Sequence, residues 1–214
     1  MSRWFRWASY AAAALLLLVV GAALRPVVLP EKHTATPVLD ATEVGFAQDM
    51  TAHHQQAIQI VQRLAPGVDP QVQRLAQQID QSQRVEIGTM LGWLRLANAA
   101  PTAERPMAWM TSGATAAHQH GDTAVAAAPS AMPGMATMAD LDRLSAARGG
   151  AAEVLFLQLM YRHHQGGLAM ARAADREIAS GPVKEQVRAM IVAQGQETGL
   201  MALMLDQRGA RPLP

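Results

Sequence analysis

The 214-residue chain has no cysteine, only 4% aromatic residues and only 16% charged residues. The missing cysteine excludes disulfides, thiolate zinc sites, iron–sulfur clusters and a thiol nucleophile. Any metal chemistry must then use imidazole, thioether and carboxylate groups. The charge fraction is too low, and the 50% hydrophobic fraction too high, for a disordered chain or a coiled coil. No strand pattern is present, because β-branched alternation is scarce and Ala, Leu, Gln and Arg are abundant. Nor is there an excess of positive charge. All 17 acidic residues follow position 30, whereas Arg3, Arg6 and Arg25 precede it, so the formal +1 hides a faintly acidic body. Such a body has no electrostatic footprint for nucleic acid. No phosphate loop, dinucleotide-binding glycine pattern or Gly-x-Ser-x-Gly elbow occurs.

What is present first is a leader. Arg3 and Arg6 precede an uncharged apolar run from Trp7 to Leu24, and Arg25-Pro26 closes it. Residues 1–30 read as a secretory signal or a membrane anchor. The run is longer than a usual signal core of about 7–15 residues and falls at the short end of a span, which favours the anchor. Gly21-Ala22-Ala23 keeps cleavage open. Either way the body is expected outside the cytoplasm, attached to the membrane or secreted.

After a short linker (31–39), helix punctuation divides residues 40–208. Asp40-x-x-Glu43 is a capping pattern for a helix that should stop at Pro66-Gly67. Asp69-Pro70 opens a second helix, expected to run to about Asn98. A short helix near Asp140–Ala147 precedes a third long one, about Ala151 to Ser180, and Pro182 starts a fourth ending near Gly209. Residues 209–214 are a tail.

The two helix pairs repeat each other. FAQDMTAHHQQAIQI from Phe46 matches FLQLMYRHHQGGLAM from Phe156, and Gln83, Glu86, Met90 and Leu94 match Gln194, Glu197, Met201 and Leu205. A duplicated two-helix unit (40–98 and 140–208) predicts an all-α, ferritin-like four-helix bundle with approximate two-fold symmetry, preceded by an N-terminal hydrophobic helix. Between the halves, residues 99–139 read as a flexible linker rich in Ala, Pro, Gly, Ser and Thr. It also holds Met107, Met110, His118, His120, Met132, Met135 and Met138.

At about 100° per residue, Met50, His53 and His54 share the apolar stripe of the first helix, and Met160, His163 and His164 repeat them. Burying an unpaired histidine is costly, so partners are required. Gln83 with Glu86, and Gln194 with Glu197, interrupt the stripes of the partner helices at the matching height, with Met90 and Met201 beyond them. Candidate metal ligands are therefore Met50, His53, His54, Glu86, Met90, Met160, His163, His164, Glu197 and Met201. The linker residues His118, His120, Met132, Met135 and Met138 are weaker candidates. Imidazole with thioether and no thiolate suits copper, as Cu(I) or Cu(II), better than zinc, magnesium or calcium. The structural alternative is that His53 and Glu86 only hydrogen-bond and fix helix register, while the methionines fill the core.

D-M-x-x-H-H-x-x-A-x-x-I at Asp49–Ile60 and F-L-x-L-M-x-x-H-H-Q-G-x-L-x-M-A at Phe156–Ala171 resemble the paired signatures of domain of unknown function family 305. The Q-x-x-E-I-x-x-M-x-x-W-L string from Gln83 and the M-P-G-M run at Met132–Met135 are similar to it as well. The resemblance implies a ferritin-like bundle, usually exported or anchored, some members being associated with copper binding or resistance. It implies Met50, His53, His54, Met160, His163 and His164 as ligands. The chain departs from the pattern at Leu159, where the first half has Asp49, and at Met204, where it has Trp93.

Three functions follow as expectations. The first is an extracytoplasmic protein that binds, buffers or delivers copper; a homo-oligomer and a protein partner stay open. The second is a helical envelope scaffold or interaction module without metal. The third is a metal-dependent oxidase acting on Cu(I). A di-iron enzyme is disfavoured, because Glu-x-x-His is absent and Glu86 and Glu197 supply too few carboxylates.

Overall fold

The computed structural model describes residues 3–28, 38–111 and 132–213, in two units divided after residue 36. The first unit contains helix α1, Arg3–Val28. Among the described residues no helix is long and apolar enough to cross a membrane, so the anchor reading finds no support there.

The second unit is built from α2 (Ala41–Gln62), α3 (Pro70–Leu96), the single turn α4 (Ala108–Thr111), α5 (Met138–Ala146), α6 (Gly149–Glu177) and α7 (Pro182–Asp206). No strand occurs among the described residues, and the chain is all-helical as expected. Helix ends follow local chemistry. Asp40 accepts from the Glu43 backbone N–H at 2.8 Å and Glu43 returns the bond to the Asp40 N–H at 2.8 Å, closing a capping box that satisfies two orphan donors of α2. Asp69 caps α3 ahead of Pro70. Gly181, at φ 100°, turns the chain into Pro182 at the start of α7. The four long helices end somewhat earlier than punctuation suggests; α2, for example, stops at Gln62 rather than at Pro66. Asp40→Ala should lower stability by about 1 kcal/mol, read as a small drop in the thermal midpoint with unchanged helicity at low temperature.

Packing divides the bundle into layers. One apolar cluster collects Ile60, Ile79, Phe156, Met160, Met201 and Leu205, among others. A second collects Phe46, Met50, Met90, Met170, Val187 and Met190. Each long helix contributes its first part to one cluster and its last part to the other, so neighbours in a hairpin run antiparallel, as do α2 and α6. Between the clusters each helix passes through polar residues: His53 and His54 on α2, Gln83 and Glu86 on α3, His163 and His164 on α6, Gln194 and Glu197 on α7. A polar layer thus crosses the middle of an otherwise apolar bundle.

The connection between the halves, expected to be flexible, is fastened to the bundle in its described parts. Near its start, Met107 and Trp109 are buried. The Asp49 carboxylate, itself buried, accepts from the Met107 backbone N–H at 2.7 Å and from Trp109 Nε1 at 2.9 Å. Burial pushes the Asp49 carboxyl upward, and these two donors oppose that shift. Trp109 also stands edge-on to Phe46, with centroids 5.6 Å apart. Near its end, residues 132–136 lie across α2 and α6 as a strap. The Gln56 side chain pairs with the Ala136 backbone, donating to its carbonyl at 2.9 Å and accepting from its N–H at 2.6 Å. On the other side Gly134, at φ 77°, sits against the backbone of α6 at Gly166.

Candidate metal centre

The periodicity of α2 and α6 carries both histidines of each pair inward, and all four are at most 1% exposed. One step along a helix turns the side chain by about 100°, so the members of a pair face different neighbours. His54 faces its own hairpin and donates from Nε2 to Glu86 Oε2 at 2.7 Å. His164 donates equivalently to Glu197 Oε2 at 2.8 Å. The sequence reading paired Glu86 with His53; the structure corrects this to His54, because the second residue of the pair lies on the flank nearest its hairpin partner. His53 and His163 instead face the opposite half. Their rings stack with centroids 3.9 Å apart and planes 34° apart. His163 Nε2 donates to the His53 carbonyl at 3.1 Å, and His53 Nε2 donates to the Pro133 carbonyl of the strap at 3.1 Å.

These partners fix the tautomers. A carbonyl or carboxylate oxygen only accepts, so every Nε2 carries a proton, and in the neutral ring Nδ1 is left with a bare lone pair. All four Nδ1 atoms are buried without a hydrogen-bond partner. Burial, reinforced by the neighbouring His54 and His164, pushes His53 down to about 3, against the Pro133 carbonyl. Burial foremost, then the surrounding histidines, holds His163 well below the usual imidazole range. Both rings are therefore neutral in the fold but protonate in the unfolded chain below about 6.5. Their contribution to stability is complete above that value and declines as the pH falls from about 6.5 toward 3. Chemical denaturation of metal-free protein should show this decline, and His53→Phe should flatten it.

The carboxylates are occupied by imidazole N–H groups and by amides from the opposite half. Gln186 on α7 donates to Glu86 Oε1 at 3.2 Å, and Gln78 on α3 donates to Glu197 Oε1 at 3.3 Å. Glu86 and Glu197 thus orient the rings instead of pointing bare oxygens into the layer. Among the described residues no group of three or more His, Cys, Asp or Glu is arranged to hold a metal ion. Met50, Met90, Met160 and Met201 are fully buried, the first two in one apolar cluster and the last two in the other. They flank the histidine layer on both sides.

Of the linker candidates, Met132 packs against the cluster that holds Met50, and Met135 is half-buried in the strap. Met138 is 65% exposed at the first turn of α5 and joins neither cluster. His118 and His120 lie outside the described residues. Sequence reasoning missed Pro133 as the partner of His53, Gln56 as the clamp on the strap, and Asp49 as the anchor of Trp109. Only the M-P-G-M run offered a signal for the first of these.

Comparison with known proteins agrees with this fold. The DUF305 profile (domain of unknown function) matches residues 43–205. A DUF305 protein of Streptomyces coelicolor, described as secreted, is 36% identical, with 81% of this chain and 96% of that one covered and a TM-score of 0.69. A DUF305 fragment from Deinococcus radiodurans is 28% identical, covering 78% of this chain and 97% of that one at a TM-score of 0.62. The fold is also that of CopM, solved in Cu(II)-bound and Cu(I)-bound forms. The Cu(II)-bound form is 20% identical, covering 77% of this chain and 96% of that one at a TM-score of 0.55. No curated protein is similar enough to count as a match. With three quarters of its length matched and both histidine pairs inside the match, the chain belongs to the DUF305 family.

Proposed function

We propose that this protein binds copper in the histidine layer and buffers or delivers the ion outside the cytoplasm. The observation that carries the reading is the set of four buried Nδ1 atoms, each on a ring whose Nε2 is committed elsewhere. A buried polar atom without a partner costs about 1–3 kcal/mol, and a bare imidazole lone pair in an apolar setting is what a soft or borderline metal ion takes up. A carboxylate on the far nitrogen is the arrangement that orients metal-bound histidines. His53, His54, His163 and His164 are the proposed ligands, with thioethers from Met50, Met90, Met160 and Met201 and outer support from Glu86 and Glu197. The copper-bound forms of CopM and the description of the Streptomyces coelicolor relative as secreted support the ion and the compartment. Export or anchoring through residues 1–30 is part of the same proposal, and fractionation of the native host tests it.

Purified protein titrated with Cu(II) in air, and with Cu(I) against a chromophoric chelator without oxygen, should show stoichiometric binding. Affinity no greater than that of an unfolded His-rich peptide would refute the reading. The lack of a three-ligand cluster among the described residues supports a second reading, in which the polar layer only fixes helix register. Copper would then leave the thermal midpoint unchanged, whereas an ion bound by the fold must raise it.

A further inference from the structure

Two further buried polar side chains in the histidine layer are neither His, Asp nor Glu. Gln83 is 2% exposed and Gln194 is 4% exposed, and they occupy equivalent places in the two halves, three residues before Glu86 and Glu197. Each has one buried amide atom with no hydrogen-bond partner, Oε1 in Gln83 and Nε2 in Gln194. An amide turned over about its last torsion exchanges oxygen for nitrogen at nearly the same place, so either residue can present an oxygen from that position. Burying an orphaned amide in a helical core is unfavourable, and here it happens twice in register.

Room has also been made for one of them. A Cβ on Gly167 would overlap Gln194 Oε1 and would come within 3.3 Å of His53 Cε1, so the amide and the imidazole border the same space. The equivalent residue in the first half, Ala57, is fully buried and does carry a Cβ. Glycine in a helix interior costs about 1 kcal/mol relative to alanine, and at 167 that cost accompanies a clear approach of an amide to a histidine.

We infer that Gln83 and Gln194 belong to the coordination sphere and supply amide oxygen to the oxidised ion, so that they set the balance between Cu(II) and Cu(I). This rests on the copper reading above. Thioether and imidazole suit Cu(I), but thioether alone does little for Cu(II), which prefers nitrogen and oxygen in a tetragonal arrangement. The glutamates cannot provide that oxygen while they hold His54 and His164. The two amides are buried in the same layer, and each has an atom to offer.

Gln83→Leu and Gln194→Leu, singly and together, separate this role from a packing role. The variants should bind Cu(II) about 10- to 100-fold more weakly, the usual range for losing a supporting group at a metal site. Cu(I) affinity should change by less than about threefold, because the imidazole and thioether donors remain. The Cu(II) electron paramagnetic resonance spectrum should change its hyperfine splitting. The metal-free variants should melt no lower than the parent, since leucine removes an orphaned polar atom at similar volume. Unchanged Cu(II) affinity in variants of a copper-binding parent would overturn the inference and leave the copper reading intact. Equal weakening of both oxidation states with a lowered metal-free melting point would also overturn it, in favour of packing. A parent that binds neither oxidation state would refute the copper reading itself.

Discussion

Leucine at all four of positions 53, 54, 163 and 164 should abolish copper binding and leave a folded, helical protein whose metal-free form melts no lower than the parent. The layer contains four imidazoles whose Nδ1 atoms satisfy nothing in the fold. Removing the rings deletes four orphaned acceptors and extends both apolar clusters toward Gln83, Glu86, Gln194 and Glu197, and the volumes are close enough for the bundle to accommodate the change. The four Nε2 bonds are lost as well, but their acceptors are backbone carbonyls and two carboxylates that keep a bond from Gln78 or Gln186. A milder variant keeps the rings. Glu86→Gln with Glu197→Gln retains an acceptor for each Nε2 but removes the charge that raises ring basicity, and should weaken copper binding about 10- to 100-fold. Parent-like binding stoichiometry in the leucine variant, by calorimetry or chelator competition, would place the ion elsewhere in the chain.

Gly166→Ala is expected to have the largest effect on stability of any single change in the strap region. A Cβ there would overlap the Pro133 carbonyl and crowd the Gly134 nitrogen, which are backbone atoms that no rotamer change can move aside. Overpacking of this kind costs about 1–3 kcal/mol, or roughly 2–10 °C in the thermal midpoint for a domain of this size. The strap cannot yield freely, because Gln56 holds Ala136 by two bonds and Pro133 accepts from His53. A displaced strap would free His53 Nε2 and admit water to the layer. Faster amide hydrogen exchange at Ala136, with unchanged exchange in α3, would locate the damage at the strap; a uniform rise throughout the bundle would contradict a local effect.

Much of the architecture was legible because it follows short-range rules. Capping residues, Pro70, Pro182 and Gly181 mark helix ends within a few positions, and the doubled Met-x-x-His-His spacing forces both pairs to the same height. The carboxylates at 86 and 197 could be matched to the histidines by counting turns from the hairpin. Counting turns could not decide which ring of a pair meets the carboxylate, since both lie within the stripe. Contacts across the long connection were hidden for a different reason. Asp49 with Trp109, Gln56 with Ala136 and His53 with Pro133 are separated by 60 to 80 residues and obey no period. The departures between halves were visible as substitutions, but their meaning required the fold. Asp49 exists for Trp109, whereas Leu159 is fully buried in the cluster containing Phe156 and Leu157. Gln56 exists for the strap, and its counterpart Gly166 is small for the same strap.

The stacked rings of His53 and His163 are equivalent residues meeting each other, which is how a residue behaves when it lies beside the dyad of an isologous homodimer. Two identical hairpins joined in that way would exchange a reciprocal pair of bonds, each ring donating to the backbone of its twin. Only one of that pair exists here, from His163 to the His53 carbonyl, because the Pro133 carbonyl takes the proton of His53 instead. The tether between the halves has thus broken the symmetry at its centre. The ring of His163 donates to the sister half, while the ring of His53 donates to the tether. The two rings thus lie in different hydrogen-bond surroundings, so the two histidine pairs of the intact chain should be spectroscopically distinct even before an ion is added.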